Sequence, residues 1–210
     1  MSRASHIEIE LKYRLDRWGH EKLRRAFSGR WKRLRTVSYY FDTPKLYLKK
    51  NRIGLRIRII DGRRAMLTAK FPMAPTNGGP RALKIRREYE VPIPLSRAKS
   101  LIRGTRHFLA ETSLPIVKLK SQIPIQEMAL LTTLGRMNMS RAKASVEGLP
   151  LELDRWQVFG RNYYELEVET RNADRAHREV QDLLKSLGIP CRPEGTSKLA
   201  RFLKEWRKRQ

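Results

Sequence analysis

The sequence predicts an α+β protein built on a closed or nearly closed antiparallel sheet of about eight strands, with its helices at the periphery. Three observations carry this. Apolar and charged residues alternate with period two in strand-length stretches, the first being HIEIELKYRL at 6–15. Turn signals such as Asp61-Gly62 separate neighbouring stretches at hairpin spacing. Long helical periodicities are few and gather between strands and in the last third.

The elements follow in order. After the first strand, with His6, Glu8, Glu10, Lys12 and Arg14 on one face, residues 17–31 form a helix capped by Asp16. TVSYYFDTP at 36–44 is a strand running into a turn, where Asp42 caps locally and Pro44 disfavours continuation. Two strands flank Asp61-Gly62; Arg56 and Arg58 share a face of the first, and Leu67 and Ala69 oppose Thr68 and Lys70 in the second. Residues 72–82, rich in Pro and Gly, are an insert that leads into the strand LKIRREYEVPI. A helix is expected over 96–112, then at least two strands within 117–148. Strands LPLELDRWQVF and RNYYELEVET lie around a Gly160-Arg161 turn. Helices over 172–187, ending at Gly188, and over 197–208 complete the chain.

With 210 residues the chain is long enough for one domain with a sizeable core, expected to span 1–210 with a basic tail from about 204. No stretch approaches the roughly 18 apolar residues of a membrane helix, and the first residues lack a signal peptide's apolar core. A cytoplasmic protein without a membrane partner is expected, as a monomer or homodimer. The single Cys191 makes no internal disulfide, and there is no cysteine cluster for zinc. A formal net charge of +25 favours phosphates, nucleic acid or an acidic surface as partners without choosing among them. The basic runs at 24–35 and 204–210 also suit solvated helix faces.

The charged strand faces form a pattern. Acidic pairs at spacing two occur as Glu8 with Glu10, Glu88 with Glu90, and Glu165 with Glu167. Such a pair points into one space from backbone positions about 6–7 Å apart. Mg²⁺ or Mn²⁺ takes oxygen ligands of this kind without histidine or cysteine. Neighbouring Arg and Lys, with Arg86 just before the second pair, suit phosphate oxygens. A small substrate of several negative charges accommodates both signs, and a solvated sheet face with cross-strand ion pairs accommodates them too. The four histidines are dispersed and support no histidine-based reaction.

These residues resemble the CYTH domain, the triphosphate tunnel metalloenzyme family of inorganic and thiamine triphosphatases, class IV adenylate cyclases and metal-dependent RNA 5′-triphosphatases. EIELK matches its ExExK signature; YYFDTPKLYLKKNRIGLRIR, LTAK, RREYE, LELD, YELEVE and SKLARF follow in the family's order, from about residue 6 to 203. The resemblance implies an eight-stranded antiparallel barrel around a charged tunnel. It assigns Glu8, Glu10, Asp154, Glu165 and Glu167 to Mg²⁺ or Mn²⁺, and Lys12, Arg56, Arg58, Lys70, Arg86 and Lys198 to a triphosphate cradle. An arginine of the intervening strand joins the cradle, Arg136 in preference to Arg141, which has the opposite parity. Lys12, Lys70, Glu88 and Glu90 are assigned to catalysis. The implied activity is metal-dependent hydrolysis of a triphosphate, foremost tripolyphosphate to pyrophosphate and phosphate. Cyclase chemistry, organic or RNA 5′-triphosphates and non-catalytic polyphosphate or nucleotide binding are the alternatives.

Overall fold

The computed structural model describes residues 5–73, 82–146 and 148–209. In chain order the elements are β1 (Ser5–Leu15), α1 (Arg17–Ala26), β2 (Lys32–Asp42), α2 (Tyr47–Lys50), β3 (Gly54–Ile60), β4 (Arg64–Pro72) and β5 (Leu83–Ile93). They continue as α3 (Leu95–Arg103), α4 (Leu114–Lys120), α5 (Ile125–Ala129), β6 (Thr132–Val146), β7 (Leu149–Val158), β8 (Arg161–Glu169), α6 (Ala173–Ser186) and α7 (Lys198–Arg207). The strands form a closed antiparallel barrel in the order β1-β5-β4-β3-β2-β6-β7-β8, with helices around it.

The described residues divide into two compact units, one within 5–7, 36–73 and 86–138, the other within 8–35, 82–85, 139–146 and 148–209. In the first, β2 to β5 pair antiparallel, so Tyr40, Arg56, Thr68 and Glu90 stand side by side across four strands. The opposite parity, Leu55, Ile57, Leu67 and Ala69, is buried with Ala98 and Leu101 of α3, Ile116 and Leu119 of α4 and Met128 of α5. In the second unit β8 pairs with β1 and β7, placing Lys12, Glu167 and Glu152 side by side. Leu11, Tyr13, Leu153, Leu166 and Val168 point the other way and pack with Leu23 of α1 and Val180 and Leu184 of α6. Each unit therefore covers its apolar sheet face with helices and leaves the charged parity on the opposite sheet face.

Local chemistry fixes the boundaries. Asp16 caps α1 by accepting the Gly19 amide at 2.7 Å. Asp61 and Gly62 both have positive φ, 49° and 70°, in a three-residue connection that pairs Ile60 with Arg64 and closes with the Arg63 amide donating to the Ile60 carbonyl at 3.0 Å. The last hairpin turns at Phe159-Gly160, with φ of 47° and 82°, one residue earlier than Gly160-Arg161.

Other expectations are corrected. The first helix stops at Ala26 and β2 begins at Lys32 rather than 36, because Gly29 (φ 84°) reverses the chain early. The helix expected over 96–112 ends at Arg103, where Gly104 takes φ 75°. The described residues of 117–148 hold one strand rather than at least two: Pro115 opens α4 in its first turn, Pro124 caps α5, and β6 follows as a single strand of 15 residues. α2 was not anticipated; Asp42 builds it by accepting the Thr43, Leu48 and Lys49 amides at 2.8, 2.8 and 3.0 Å. Most of the expected insert at 72–82 lies outside the described residues.

Candidate functional site

In the first unit the site is built on β3, β4 and β5. Lys70 Nζ lies 2.6 Å from Glu88 Oε2, and Arg56 Nη2 lies 3.6 Å from Glu88 Oε1 and 3.7 Å from Glu90 Oε2. The Thr68 hydroxyl donates to Glu90 Oε2 at 2.6 Å. Burial pushes the Glu88 and Glu90 carboxyls up, but Lys70 and Arg56 outweigh it at Glu88, and Arg56, Thr68 and Arg58 do so at Glu90. Both carboxyls end below their ordinary value. Arg58 shares the Arg56 parity, opposite Ser38 and Met66. Arg86 keeps the parity of Glu88 and Glu90 on β5, and its Nη1 donates to the Arg52 carbonyl at 3.2 Å. Arg136 is exposed.

The second unit carries the denser network. Lys12 Nζ sits 3.3 Å from Glu10 Oε1 and 2.5 Å from Glu167 Oε1. Lys198, the first residue of α7 behind the Ser197 cap, places its Nζ against the same Glu167 oxygen, 2.8 Å from Asp154 Oδ2 and 2.9 Å from Glu165 Oε2. Arg141 forks onto Asp154, Nε to Oδ1 at 2.7 Å and Nη2 to Oδ2 at 2.6 Å; its Nη2 also reaches Glu167 Oε2 at 2.6 Å, and its Nη1 pairs with Glu152. Glu152 in turn pairs with Lys143.

The preference for Arg136 over Arg141 is thus reversed. In β6 the parity of Arg141 faces the carboxylates of β7 and β8, so the opposite parity cannot. Burial opposes the charges of five of these groups, and their partners prevail: Lys12, Lys198 and Arg141 are held above their ordinary values, Asp154 and Glu167 below theirs.

Register also orders the acids along the strands. Glu10 faces Glu169, Lys12 faces Glu167, and Arg14 faces Glu165. Glu10 and Glu167 are therefore two positions apart on adjacent strands and share Lys12, with Glu8 and Glu165 further out in opposite directions. Glu152 was missed by the sequence reading although it stands two residues before Asp154, the same spacing that singled out Glu165 and Glu167. Thr68 was missed because a lone hydroxyl on a strand carries no pattern.

Among the described residues no three His, Cys, Asp or Glu side chains form a ready metal-binding group. Ammonium and guanidinium groups stand between the carboxylates: Arg141 holds both Asp154 oxygens, and Lys12, Lys198 and Arg141 together hold both Glu167 oxygens. Glu165 differs. It is 1% exposed, and beyond the charge of Lys198 beside Oε2 neither carboxylate oxygen has a hydrogen-bond partner among the described residues. Buried acceptors of that kind, beside other carboxylates and without imidazole or thiolate, fit a hard, oxygen-seeking divalent cation.

Residues 6–203 match the CYTH domain. Among solved structures, the chain is similar to a candidate adenylyl cyclase from Hippeastrum described as having a dominant triphosphatase activity. The two are 26% identical over 94% of this chain and 96% of that one, with a TM-score of 0.82. A candidate adenylate cyclase from Bacillus halodurans is also 26% identical, over 95% of this chain and 99% of that one, with a TM-score of 0.76. A protein from Pyrococcus horikoshii OT3 shares the fold at 22% identity, over 94% and 99% of the two chains, with a TM-score of 0.58. No curated protein is significantly similar in sequence. No helix among the described residues is long and apolar enough to cross a membrane.

Proposed function

The chain belongs to the CYTH domain family, and from that premise we propose that it hydrolyses a triphosphate with the help of Mg²⁺ or Mn²⁺, cleaving inorganic tripolyphosphate to pyrophosphate and orthophosphate. The observation that carries this is the buried alternation of charge in which Glu10, Lys12, Glu165, Glu167 and Lys198 participate. Buried ions of both signs are costly to maintain for stability alone. They suit a ligand that brings its own anions and cation.

In the first unit Arg56, Arg58 and Lys70, and in the second Lys12 and Lys198, offer cations that bind and orient phosphate oxygens. Glu88 and Glu90 hold Arg56 and Lys70 extended; carboxyls held below their ordinary pKa are weak bases, so positioning suits them better than proton uptake. Arg141 and Asp154 fix the Glu167 and Lys198 side chains. Glu165, whose oxygens have no hydrogen-bond partner among the described residues, would hold the metal with Glu8, Glu10 and Glu167, the last once phosphate oxygens draw Lys12 and Lys198 from it, and the metal would supply Lewis-acid charge at the phosphate oxygens. Water adds to the terminal phosphorus, the bridging P–O bond breaks, and pyrophosphate leaves.

Adenylate cyclase chemistry is the second reading, favoured by the descriptions of the two 26%-identical structures. It would take the ribose 3′-hydroxyl as nucleophile in place of water. A panel of tripolyphosphate, ATP, thiamine triphosphate and triphosphorylated RNA at fixed Mg²⁺ and Mn²⁺ separates the two, with orthophosphate and cyclic nucleotide measured independently. Orthophosphate from tripolyphosphate, at a higher kcat/KM than from the organic triphosphates, is expected. Cyclic nucleotide as the main product from ATP, without tripolyphosphate turnover, overturns the proposal.

A further inference from the structure

The proposed reaction leaves one conspicuous charge run without a role. Between Arg17 and Arg35, eight of nineteen residues are Lys or Arg, and Glu21 is the one acid. Glu21 is engaged by Arg24 at 2.8 Å. We propose that α1 and the start of β2 form a docking surface for single-stranded nucleic acid, built from the exposed Trp18 ring and the cations Lys22, Arg25, Arg30, Lys32 and Arg33.

The helix divides cleanly. Gly19, His20 and Leu23 are buried against the core. Trp18, Lys22 and Arg25, at i, i+4 and i+7, occupy the opposite side. Trp18 is 55% exposed, and the Lys22 ammonium stands 4.5 Å from its ring centroid. This arrangement offers a stacking platform and a cation together. The chain then turns tightly at Gly29, and Trp31 donates its indole N–H to the Arg24 carbonyl at 3.1 Å while meeting Phe27 edge-on. Helix and strand start are thereby held as one piece, which carries the exposed Arg30, Lys32 and Arg33. Among the described residues, Arg25, Arg30, Lys32 and Arg33 have no carboxylate within ion-pair distance.

A line of cations that includes one exposed aromatic matches a phosphodiester backbone with an unstacked base, because any base offers a π-face. An anionic membrane is the poorer fit. A surface-lying helix must turn its apolar side outward, whereas Leu23 of α1 is fully buried in the core.

The test is fluorescence anisotropy of a labelled single-stranded RNA with the full-length protein across a KCl series. Wild type should bind with log K falling linearly in log salt. The triple variant Arg25→Glu, Arg30→Glu, Arg33→Glu should bind weakly, with a slope shallower by about 2, at roughly 0.7 for each phosphate no longer neutralised. Trp18→Ala should weaken binding by roughly 5- to 150-fold, as removal of one stacked base does. The control is Arg171→Glu, Arg178→Glu, Lys185→Glu, the same charge change at exposed positions near and on α6. It should retain most of the binding, and tripolyphosphate turnover should be unchanged in both triples. Equal weakening in the two triples, absence of RNA binding by wild type, or capture by phosphatidylserine vesicles in preference to RNA overturns the proposal. Binding is measured without turnover, so failure of the hydrolase reading leaves this test intact.

Discussion

Arg141 grips Asp154 through two parallel hydrogen bonds, Nε to Oδ1 at 2.7 Å and Nη2 to Oδ2 at 2.6 Å. Asp154 is fully buried. Removing the guanidinium leaves that carboxylate to the Lys198 ammonium 2.8 Å from Oδ2, so the cost should be large but below the about 3–5 kcal/mol of a fully unpaired buried charge. Arg141→Ala should lower the urea midpoint accordingly, and Arg141→Lys should recover part of the loss because an ammonium cannot fork. Arg136→Ala, at an exposed position, should stay within about 0.5 kcal/mol of wild type. Equal midpoints for Arg141→Ala and Arg136→Ala contradict the assignment.

The cluster also sets a pH dependence. Asp154 and Glu167 are held below their ordinary pKa, so the stability they add is present above the unfolded carboxyl values near 4 and is lost as pH falls toward their folded ones. Lys198, held above its ordinary value, contributes throughout this range and loses its share only in strong alkali. Urea midpoints between pH 7 and 5 should be nearly flat for this cluster and fall below pH 4. In Lys198→Met the acid slope should be shallower, because one of the groups depressing Asp154 and Glu167 is gone. An unchanged acid slope in that variant is the contrary result.

Arg56 and Lys70 share Glu88 but reach it differently, at 3.6 and 2.6 Å. Alanine at either position should weaken tripolyphosphate binding by about 1.5–3 kcal/mol, the size of a hydrogen bond to a charged group. Arg56→Lys should lie between Arg56→Ala and wild type, since charge survives and the fork does not. Calorimetric titration without metal, where the proposed reaction predicts no turnover, measures this. Wild-type affinity in both alanine variants removes β3 and β4 from the phosphate grip.

The strands were legible because their chemistry is written with period two. HIEIELKYRL shows both faces of β1, and LKIRREYEVPI coincides with β5. Asp61-Gly62 marks its hairpin because both residues take positive φ. The helices α4 and α5 were not legible: LPIVKLK is apolar enough for a strand, and only burial of Ile116 and Leu119 against the sheet decides for helix. The choice between Arg136 and Arg141 turned on strand register, which depends on partners distant in sequence. The commitment of Asp154 to Arg141 depends on the same unseen pairing. Single residues on alternating faces could be assigned a side, but not a partner.

The metal-dependent reading stands or falls most directly with Glu165, whose buried oxygens have the Lys198 charge beside them and no hydrogen-bond partner among the described residues. The measurement is orthophosphate release from tripolyphosphate by wild type and Glu165→Gln across a Mg²⁺ titration, each protein confirmed as folded by circular dichroism. Chelation should abolish wild-type turnover and Mg²⁺ restore it. Glu165→Gln should need more metal and lose at least the roughly 10–100-fold that even outer-shell partners of a metal ligand cost. Wild-type turnover that survives exhaustive chelation, or a folded Glu165→Gln fully active at limiting Mg²⁺, contradicts the account.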